Sequence, residues 1–514
     1  MLAAFDFLGR FQAQVEQARA DTRSQAVPAT ARIEVQTSIL DCCSMRQAKA
    51  STLKNTLGKN MNSVGYRELL KGNRNFRSLW AGQVISELGT WFSFIAELGS
   101  VRMLSGSPLM TTALLVARLL PYLLVAPIAG VFADRLSRKQ IMITADLMRA
   151  VIAVAYVFAG LIGSAWLVIA CSALMASLTM FFEAAKNASI PNMVTPRELL
   201  TANVLMFSTR FLQYTLGSAL GGLTAAQFGY NTAFVVNALS FVGSALFILP
   251  IAATATRQSR AAKAEGIHLA EPMSVEAAMI TPITGSEQPS ATAKVGVFAD
   301  LREGLRYIWK TPFVRAVILV NIGWATGGGM TTILFDQIGG HLFAGSGDRG
   351  DWYVAALFTA GGAGVFLGML LTRRVGGWVT DEHRAGRFIG WALLVHGVLF
   401  SVAGLMPTLA LMAFWVAASR LVLGAEFGFQ ETMMMRVLPD DYRGRVFTTD
   451  RSLELATMAI STIIAGWLLT WFSARSLMIA SGLLAASPGV VWLLALWFAR
   501  FAVPARAVSE SYGD

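Results

Sequence analysis

Runs of about twenty apolar residues recur along this chain and constrain its fold more than any other feature. Leu109 to Val131 and Ile141 to Leu161 are two such runs, each interrupted by few charges. A helix of about 20 residues crosses roughly 30 Å of hydrocarbon. Water cannot satisfy backbone groups there, so each run must be helical or belong to a closed barrel. The apolar residues do not alternate with polar ones, and the pattern therefore predicts membrane-spanning helices.

Composition supports this prediction over a soluble fold. Hydrophobic residues make up 55% of the 514 residues and charged residues only 14%, too few to cover a soluble surface. We predict an all-α polytopic membrane protein with about twelve transmembrane helices in two six-helix bundles. The predicted spans are 79–99, 108–131, 140–160, 164–186, 200–226, 232–252, 313–338, 352–372, 386–406, 408–434, 447–470 and 475–502.

Polar stretches divide the chain into five parts. We predict a disordered polar tail over 1–72, a first bundle over 73–252, a cytoplasmic linker over 253–311, a second bundle over 312–502 and a cytoplasmic tail over 503–514. An alternative interpretation of the first part is that translation begins at Met61. Within the linker, the pattern of Val297 to Lys310 predicts a short amphipathic helix at the surface.

The net charge of +11 results mainly from Lys and Arg in short turns between the spans. This distribution indicates membrane topology rather than nucleic-acid binding. The turns that contain Arg135, Arg197, Arg387 and Arg443 alternate with turns that carry little positive charge. Because the basic side of a membrane protein is usually cytoplasmic, we expect both termini and the linker to face the cytosol, and the protein to lie in the cell inner membrane.

The two halves are related to each other by matching spacings. Glu183 precedes Pro191 by eight residues, and Glu431 precedes Pro439 by the same number. The second span of each half also ends in a glycine that an arginine follows five residues later, at Gly130 and at Gly368. An internal duplication explains both coincidences, and parallel repeats of this kind occur in transporters.

A short charged segment follows the second span. Its functional residues are Gly130, Asp134, Arg135, Arg138 and Lys139. A glycine at a helix end allows close approach of a neighbouring helix. An acid beside bases in a tight turn can form ion pairs or bind a helix N-terminus. Such contacts suit a conformational latch, which holds one state and releases in another.

This segment resembles the signature loop between the second and third helices of the major facilitator superfamily. Ala117-Arg118-Leu-Leu-Pro121, Pro127-Ile-Ala-Gly130 and Leu438-Pro439-Asp-Asp-Tyr-Arg443 resemble its efflux-type branch, which includes siderophore exporters and macrolide efflux pumps. The resemblance implies two bundles that rock around a central cavity. The sequence departs from that branch at Thr90, where an acid often follows the glycine, and in 217–222, which lacks the proline common in drug antiporters.

Ionisable side chains inside the spans are the candidate functional residues. Glu87 and Glu426 lie near mid-depth and are our candidates for proton coupling, because burial disfavours the charged form of a carboxylate and suits it to carry a proton. Arg118 and Arg210 are candidate counter-charges in the cavity. The alternative for each of these residues is a fixed buried ion pair.

Other charges have simpler interpretations. We expect Glu97 and Asp336, near the outer ends of their spans, to be solvated. Glu183 and Glu431 lie near cytoplasmic helix ends, where their side chains can reach water. Asp146 and Arg149 are three residues apart and can pair on one helix face.

These observations favour a monomeric antiporter that exports amphipathic or hydrophobic small molecules with protons as the coupling ion. The chain shows no nucleotide-binding loop for ATP-driven transport, and we expect neither cofactor nor metal. A lipid or nutrient transporter of the same fold is an alternative. From another class, a membrane enzyme or a signalling relative is the second alternative, but no catalytic motif supports an enzyme.

Overall fold

The computed structural model describes residues 65–252, 297–344, 350–379 and 381–498, and within these ranges the chain forms helices and no strands. The first half contains α1 (Tyr66–Gly72), α2 (Arg74–Ser105), α3 (Pro108–Leu124), α4 (Ala126–Arg135), α5 (Arg138–Ile162), α6 (Ala165–Met193), α7 (Pro196–Phe228) and α8 (Tyr230–Ile248). The second half contains α9 (Val297–Lys310), α10 (Pro312–Gly328), α11 (Thr331–Gln337, continued by a π-helical turn Ile338–Leu342), α12 (Asp351–Trp378), α13 (Glu382–Leu405), α14 (Leu409–Val437), α15 (Asp440–Leu468) and α16 (Ala474–Trp497).

The helices of the described ranges account for the predicted spans. Eight segments are long and apolar enough to cross a membrane, with α10 and α11 counted as one, and the bent pair α3–α4 makes a ninth. Three further helices, α2, α7 and α15, have 32, 33 and 29 residues but are less apolar. At about 1.5 Å per residue each exceeds the thickness of the hydrocarbon core. The fold is therefore all-α and polytopic, and it is consistent with twelve spans.

Two spans are interrupted where the sequence weakens the helix. Between α3 and α4 the axis bends by 47° at Val125. Pro127 follows two residues later, and a proline removes one backbone hydrogen bond and crowds the preceding turn. Between α10 and α11 the break falls at Gly329. The carbonyl groups around it accept hydrogen bonds from hydroxyls, such as Thr462 Oγ1 to Gly329 O at 2.8 Å, which satisfies backbone that lipid could not.

The spans pack as two bundles. In the first bundle α2 packs on α7 and α8, while α5 packs on α6 and α8. In the second bundle α12 packs on α14, and α13 packs on α14 and α16. The bundles meet mainly where α7 contacts α12 and where α3 contacts α15.

We call the end that carries Arg135, Arg387 and Arg443 the inner end, because the sequence predicts it to be cytoplasmic, and the opposite end the outer end. In the outer half one hydrophobic cluster runs through both bundles, from Phe94 in α2 to Phe358 in α12. In the inner half each bundle has a separate cluster. The bundles are therefore joined at the outer end and separate at the inner end.

Two short helices lie at the inner end. Helix α9 covers the predicted amphipathic segment 297–310, and it packs on α15 through stacked rings of Tyr307 and Tyr442, 4.5 Å apart. Helix α1 falls inside the stretch predicted to be a disordered tail. It is ordered by Leu69, which is fully buried in the inner cluster of the first bundle. The rest of the predicted tail, residues 253–296 of the linker and the C-terminal tail lie outside the described residues.

Candidate functional site

A buried ion-pair cluster joins the two bundles at the outer end. Arg102 at the end of α2 pairs with Asp336 of α11 and, at 2.5 Å, with Asp351 of α12. Tyr230 of α8 also donates to Asp351 at 3.2 Å. The Arg102 side chain is 6% exposed and both carboxylates are fully buried. The prediction that Asp336 is solvated is wrong, because Arg102 reaches it from the other bundle.

Close backbone packing surrounds this outer ion-pair cluster. A Cβ added at Gly340 would meet the guanidinium of Arg102 at 2.6 Å, and one added at Gly99 would meet the Tyr230 ring at 2.6 Å. Gly222 of α7 packs directly against Ala355 of α12. Small residues allow this approach of helices from different bundles. The outer end is therefore closed by both charge pairing and steric fit.

An aromatic layer lies on the inner side of the cluster. Trp91 packs against Tyr214 with tilted rings whose centroids are 4.4 Å apart, and Phe358 contacts both Phe94 and Phe335 at 5.5 and 5.4 Å. These five rings come from both bundles. Phe94, Phe335 and Phe358 are buried, whereas Trp91 and Tyr214 are partly exposed and offer an apolar, polarisable surface that suits amphipathic organic molecules.

Arg118 has a carboxylate partner, but it is Glu97 and not Glu87. Arg118 Nη1 lies 2.6 Å from Glu97 Oε2, and Ser172 donates to the same oxygen at 2.8 Å. The guanidinium also lies 4.7 Å from the centre of the Phe94 ring. Glu97 is 1% exposed, so the expectation that it is solvated is wrong. The pair holds α2, α3 and α6 together.

The cleft of the first bundle contains Glu87 and Arg210. It holds about 370 Å³, counting space open to solvent, and its polar lining includes both residues, Glu183 and Lys186. Glu87 accepts a hydrogen bond from Gln83 at 3.1 Å. Lys186 pairs with Glu183 three residues earlier, and Arg210 acts electrostatically on both Glu87 and Glu183. We call Glu87, Glu183, Lys186 and Arg210 the N-half charge cluster.

Glu426, the second predicted coupling residue, lies inside the second bundle. It is 3% exposed, and its Oε1 has no hydrogen-bond partner among the described residues. Arg420 on the same helix donates to Thr331 at 2.9 Å and lies over the Phe400 ring at 5.2 Å. The structure therefore brings Glu87 and Arg210 together but leaves Arg118 and Glu426 at separate places.

The sequence analysis considered Glu431 but missed two acids that act on it, Asp450 and Glu454. Asp450 and Glu454 of α15 act electrostatically on Glu431 of α14, as does Arg451. We call these four residues the C-half acid cluster. Asp450 and Glu454 are 9% and 8% exposed. The missed signal was their spacing, because two acids four residues apart share one face of a helix.

The predicted latch segment contacts its own bundle through its last two residues. Arg138 donates to Ala188 O at 2.5 Å, and Lys139 donates to Leu249 O at 2.6 Å. Asp134 and Arg135 are exposed, as Gly130 is in part. Asp134 acts electrostatically on Arg138. The basic residues thus donate hydrogen bonds to carbonyl groups near the inner ends of α6 and α8, and the acid remains accessible.

The predicted pair Asp146–Arg149 is confirmed. The two side chains form an ion pair inside the first bundle and are 0% and 4% exposed. Arg149 also lies over the rings of Phe182 and Phe241 at 4.4 and 4.5 Å. These contacts make the pair part of the packing between α5, α6 and α8.

Known proteins with the same architecture are membrane transporters. A major facilitator family model, "Transmembrane secretion effector", matches residues 71–274. Among curated proteins, the uncharacterised MFS-type transporter YfiS of Bacillus subtilis is 24% identical over 83% of this chain and 94% of its own length. The multidrug efflux pump Tap of Mycolicibacterium fortuitum is 26% identical over 76% and 87%. Macrolide efflux protein A of Streptococcus pyogenes is 21% identical over 76% and 88%.

Solved structures agree at the level of the fold. The nucleoside transporter NupG superposes with a TM-score of 0.56 at 13% identity, covering 82% of this chain and 98% of its own. A bacterial homologue of the human lysosomal transporter Spinster superposes with a TM-score of 0.58 at 14% identity, covering 85% and 98%. The chain is therefore similar to transporters of the major facilitator superfamily, through a family model that matches residues 71–274 and relatives that are 21–26% identical.

Proposed function

We propose that this transporter exports amphipathic or hydrophobic small molecules in exchange for protons. The observation that carries the proposal is the aromatic layer, formed by both bundles next to a charged cleft and sealed at the outer end by Arg102. An apolar surface with a few charged groups suits an amphipathic ligand. The efflux relatives Tap and macrolide efflux protein A support export, since their names describe efflux of multiple drugs and of macrolides.

The proposed setting is the cell inner membrane, with both termini and the linker in the cytosol. The basic inner turns support this orientation. With the outer end closed and the inner clusters of the two bundles separate, the structure then corresponds to a state that accepts substrate from the cytosol. The protein works as a monomer in this proposal, since each chain contains both bundles.

The candidate residues take different roles in the proposed cycle. Glu87 and Arg210 line the cleft, where they can exchange partners as substrate or protons bind. Arg118 anchors Glu97 beside the aromatic layer. Glu426, buried with a carboxylate oxygen that lacks a partner among the described residues, is suited to hold a proton inside the second bundle.

Substrate accumulation in energised inverted vesicles tests the proposal. Lipophilic cations, macrolides and siderophores would be added one at a time, with and without an ionophore that collapses the proton gradient. We expect at least one class to accumulate only while the gradient is present, and Glu87→Gln and Glu426→Gln to reduce that accumulation. Asp381→Asn is the matched control, because asparagine caps a helix as well as aspartate does. Accumulation of lipids or nutrients alone would contradict the export of drug-like molecules.

A further inference from the structure

Equivalent acids in the two halves differ in the charged groups that lie around them. Glu183 and Glu431 stand at the same distance before Pro191 and Pro439. The spacing continues beyond these residues, since Arg197 corresponds to Arg445, Thr201 to Thr449 and Thr209 to Thr457. Each acid lies on a 29-residue helix, α6 or α14. The structure can therefore be compared position by position across the repeat.

In the first half the acid is neutralised. Lys186, three residues after Glu183, forms an ion pair with it. Arg210 adds a second positive charge that acts on the same carboxylate. With Glu87, the N-half charge cluster holds two acids and two bases. When all four groups are ionised, the net charge of this cluster is zero.

In the second half both bases are replaced. Met434 stands where the spacing places Lys186, and Met458 stands where it places Arg210. The neighbouring helix α15 instead adds Asp450 and Glu454, and the base beside them is Arg451. The Arg451 side chain is 50% exposed, and its ion pair is with Glu454, where Nη1 lies 2.6 Å from Oε2. Glu431 and Asp450 remain as two carboxylates without a paired base in the described part of the chain.

Asp450 is held in place by a neutral donor. Asn321 of α10 donates to Asp450 Oδ2 at 3.0 Å, while Oδ1 has no partner among the described residues. Both residues lie about 15 Å from the inner ends of their helices at about 1.5 Å per residue. A buried carboxylate oxygen without a donor is costly when the group is charged, and a proton removes that cost.

Helices α9, α3 and α10, which pack against α15, place no base beside Asp450 in the described part of the chain. Helix α9 packs on α15 through Gly304, and its described charged side chains, Arg306 and Lys310, are exposed. Helix α3, which also packs on α15, contributes Arg118, which is paired with Glu97. Helix α10 contributes the neutral Asn321 at this depth. The described residues also contain no group of three acids, histidines or cysteines placed to hold a metal ion.

We propose that Glu431 and Asp450 form the proton-binding site of the transport cycle, which holds one proton while the inner end is open. Asp450 is buried with one oxygen that has no donor among the described residues, and the negative charges of Asp450 and Glu431 act on each other, so a bound proton relieves both costs. This inference rests on the proposed proton-coupled function and names its site. Glu454 and Arg451 form the adjacent ion pair.

Infrared spectroscopy of the purified full-length protein tests the site without any substrate. The probe is the proton itself, observed through the carbonyl band of protonated carboxylic acids at neutral pH. We expect this band in the wild type and its loss or marked decrease in both Glu431→Gln and Asp450→Asn. Glu183→Gln and Asp381→Asn should leave the band unchanged. An identical band in the wild type and both cluster variants, or no band at all, would overturn the proposal.

Transport measurements on the same variants distinguish a loss of proton coupling from a loss of folding. With a compound that the wild type accumulates, Glu431→Gln and Asp450→Asn should lose gradient-driven accumulation but retain exchange of labelled for unlabelled compound. Retained exchange shows that the variants fold and bind the compound. Full gradient-driven accumulation by both variants would overturn the proton site while leaving proton-coupled export intact. If the wild type accumulates nothing, the proposed function fails, and the infrared bands alone decide whether the site binds a proton.

Discussion

The two halves of this protein share a repeated framework but differ in how they neutralise buried charge. In the first half every described acid of the cleft lies beside a base, as Glu183 does beside Lys186. In the second half the equivalent acid, Glu431, has Met434 in place of that lysine and Asp450 as a neighbour. An acid paired with a base has little reason to change its protonation, whereas two neighbouring acids do. The difference assigns a fixed role to one bundle and a titrating role to the other.

Removing the base from the first half should have the largest effect on stability. Lys186→Met copies the second half and removes the ion-pair partner of the buried Glu183, which Arg210 and Arg149 then affect only electrostatically. Breaking a buried pair in this way costs about 3–5 kcal/mol, and the thermal unfolding midpoint in detergent should fall accordingly. The double variant Glu183→Gln with Lys186→Met should recover much of the loss, since it leaves no buried charge. A single variant as stable as the wild type would show that the pair does not matter.

Removal of Arg102 from the outer ion-pair cluster should have the next largest effect. Arg102→Ala leaves Asp336 and Asp351 as two buried carboxylates without their shared guanidinium, so separating the bundles to solvate them becomes favourable. We expect a shift of about 100-fold toward an open outer end, which corresponds to about 2.7 kcal/mol. Spin labels at Gly163 and Met406, in outer turns of different bundles, would report longer distances.

Arg102→Lys is the matched control for this prediction. It keeps the charge but not the planar fork that reaches both acids, so its effect should be smaller. Unchanged distances in Arg102→Ala would mean that steric fit at Gly222 and Ala355 closes the outer end without the ion pairs.

Introducing into the second half a lysine at the position equivalent to Lys186 should abolish the difference between Glu183 and Glu431. Met434→Lys places a lysine three residues after Glu431, the arrangement that neutralises Glu183. Gradient-driven accumulation should fall about tenfold, the effect of roughly 1.4 kcal/mol, while exchange of labelled compound continues. Met434→Leu conserves the volume and should behave as the wild type. Undiminished coupling in Met434→Lys would argue against a proton on Glu431.

The sequence predicted the helices better than the contacts between them. Apolar runs located the spans, and the charged segment after Gly130 indicated the family, because both signals are local. The span predicted over 79–99 is longer in the structure, Arg74–Ser105, since Glu97 and Arg102 find partners on other helices. Periodicity carries no information about such partners. It therefore gave no indication that Arg118 would meet Glu97 or that Arg102 would reach Asp336 across the bundle interface.

The candidate site was predicted in part for the same reason. Glu87 and Arg210 share the cleft of the first bundle, although their relation to Glu183 and Lys186 depends on how α2, α6 and α7 pack. Asp450 looked unremarkable because it lies among polar residues at the start of a span. Only the fold shows that it is buried and that Asn321 donates to it.

Substrate-triggered proton movement in energised inverted vesicles tests the central claim most directly. Respiration acidifies the vesicle lumen, so an exporter that exchanges substrate for protons releases protons when substrate is added. We predict this release in the wild type and in the double variant Glu183→Gln with Lys186→Met, and its loss in Glu431→Gln and in Asp450→Asn. Release that persists in both second-half variants but disappears in the first-half variant would contradict the account.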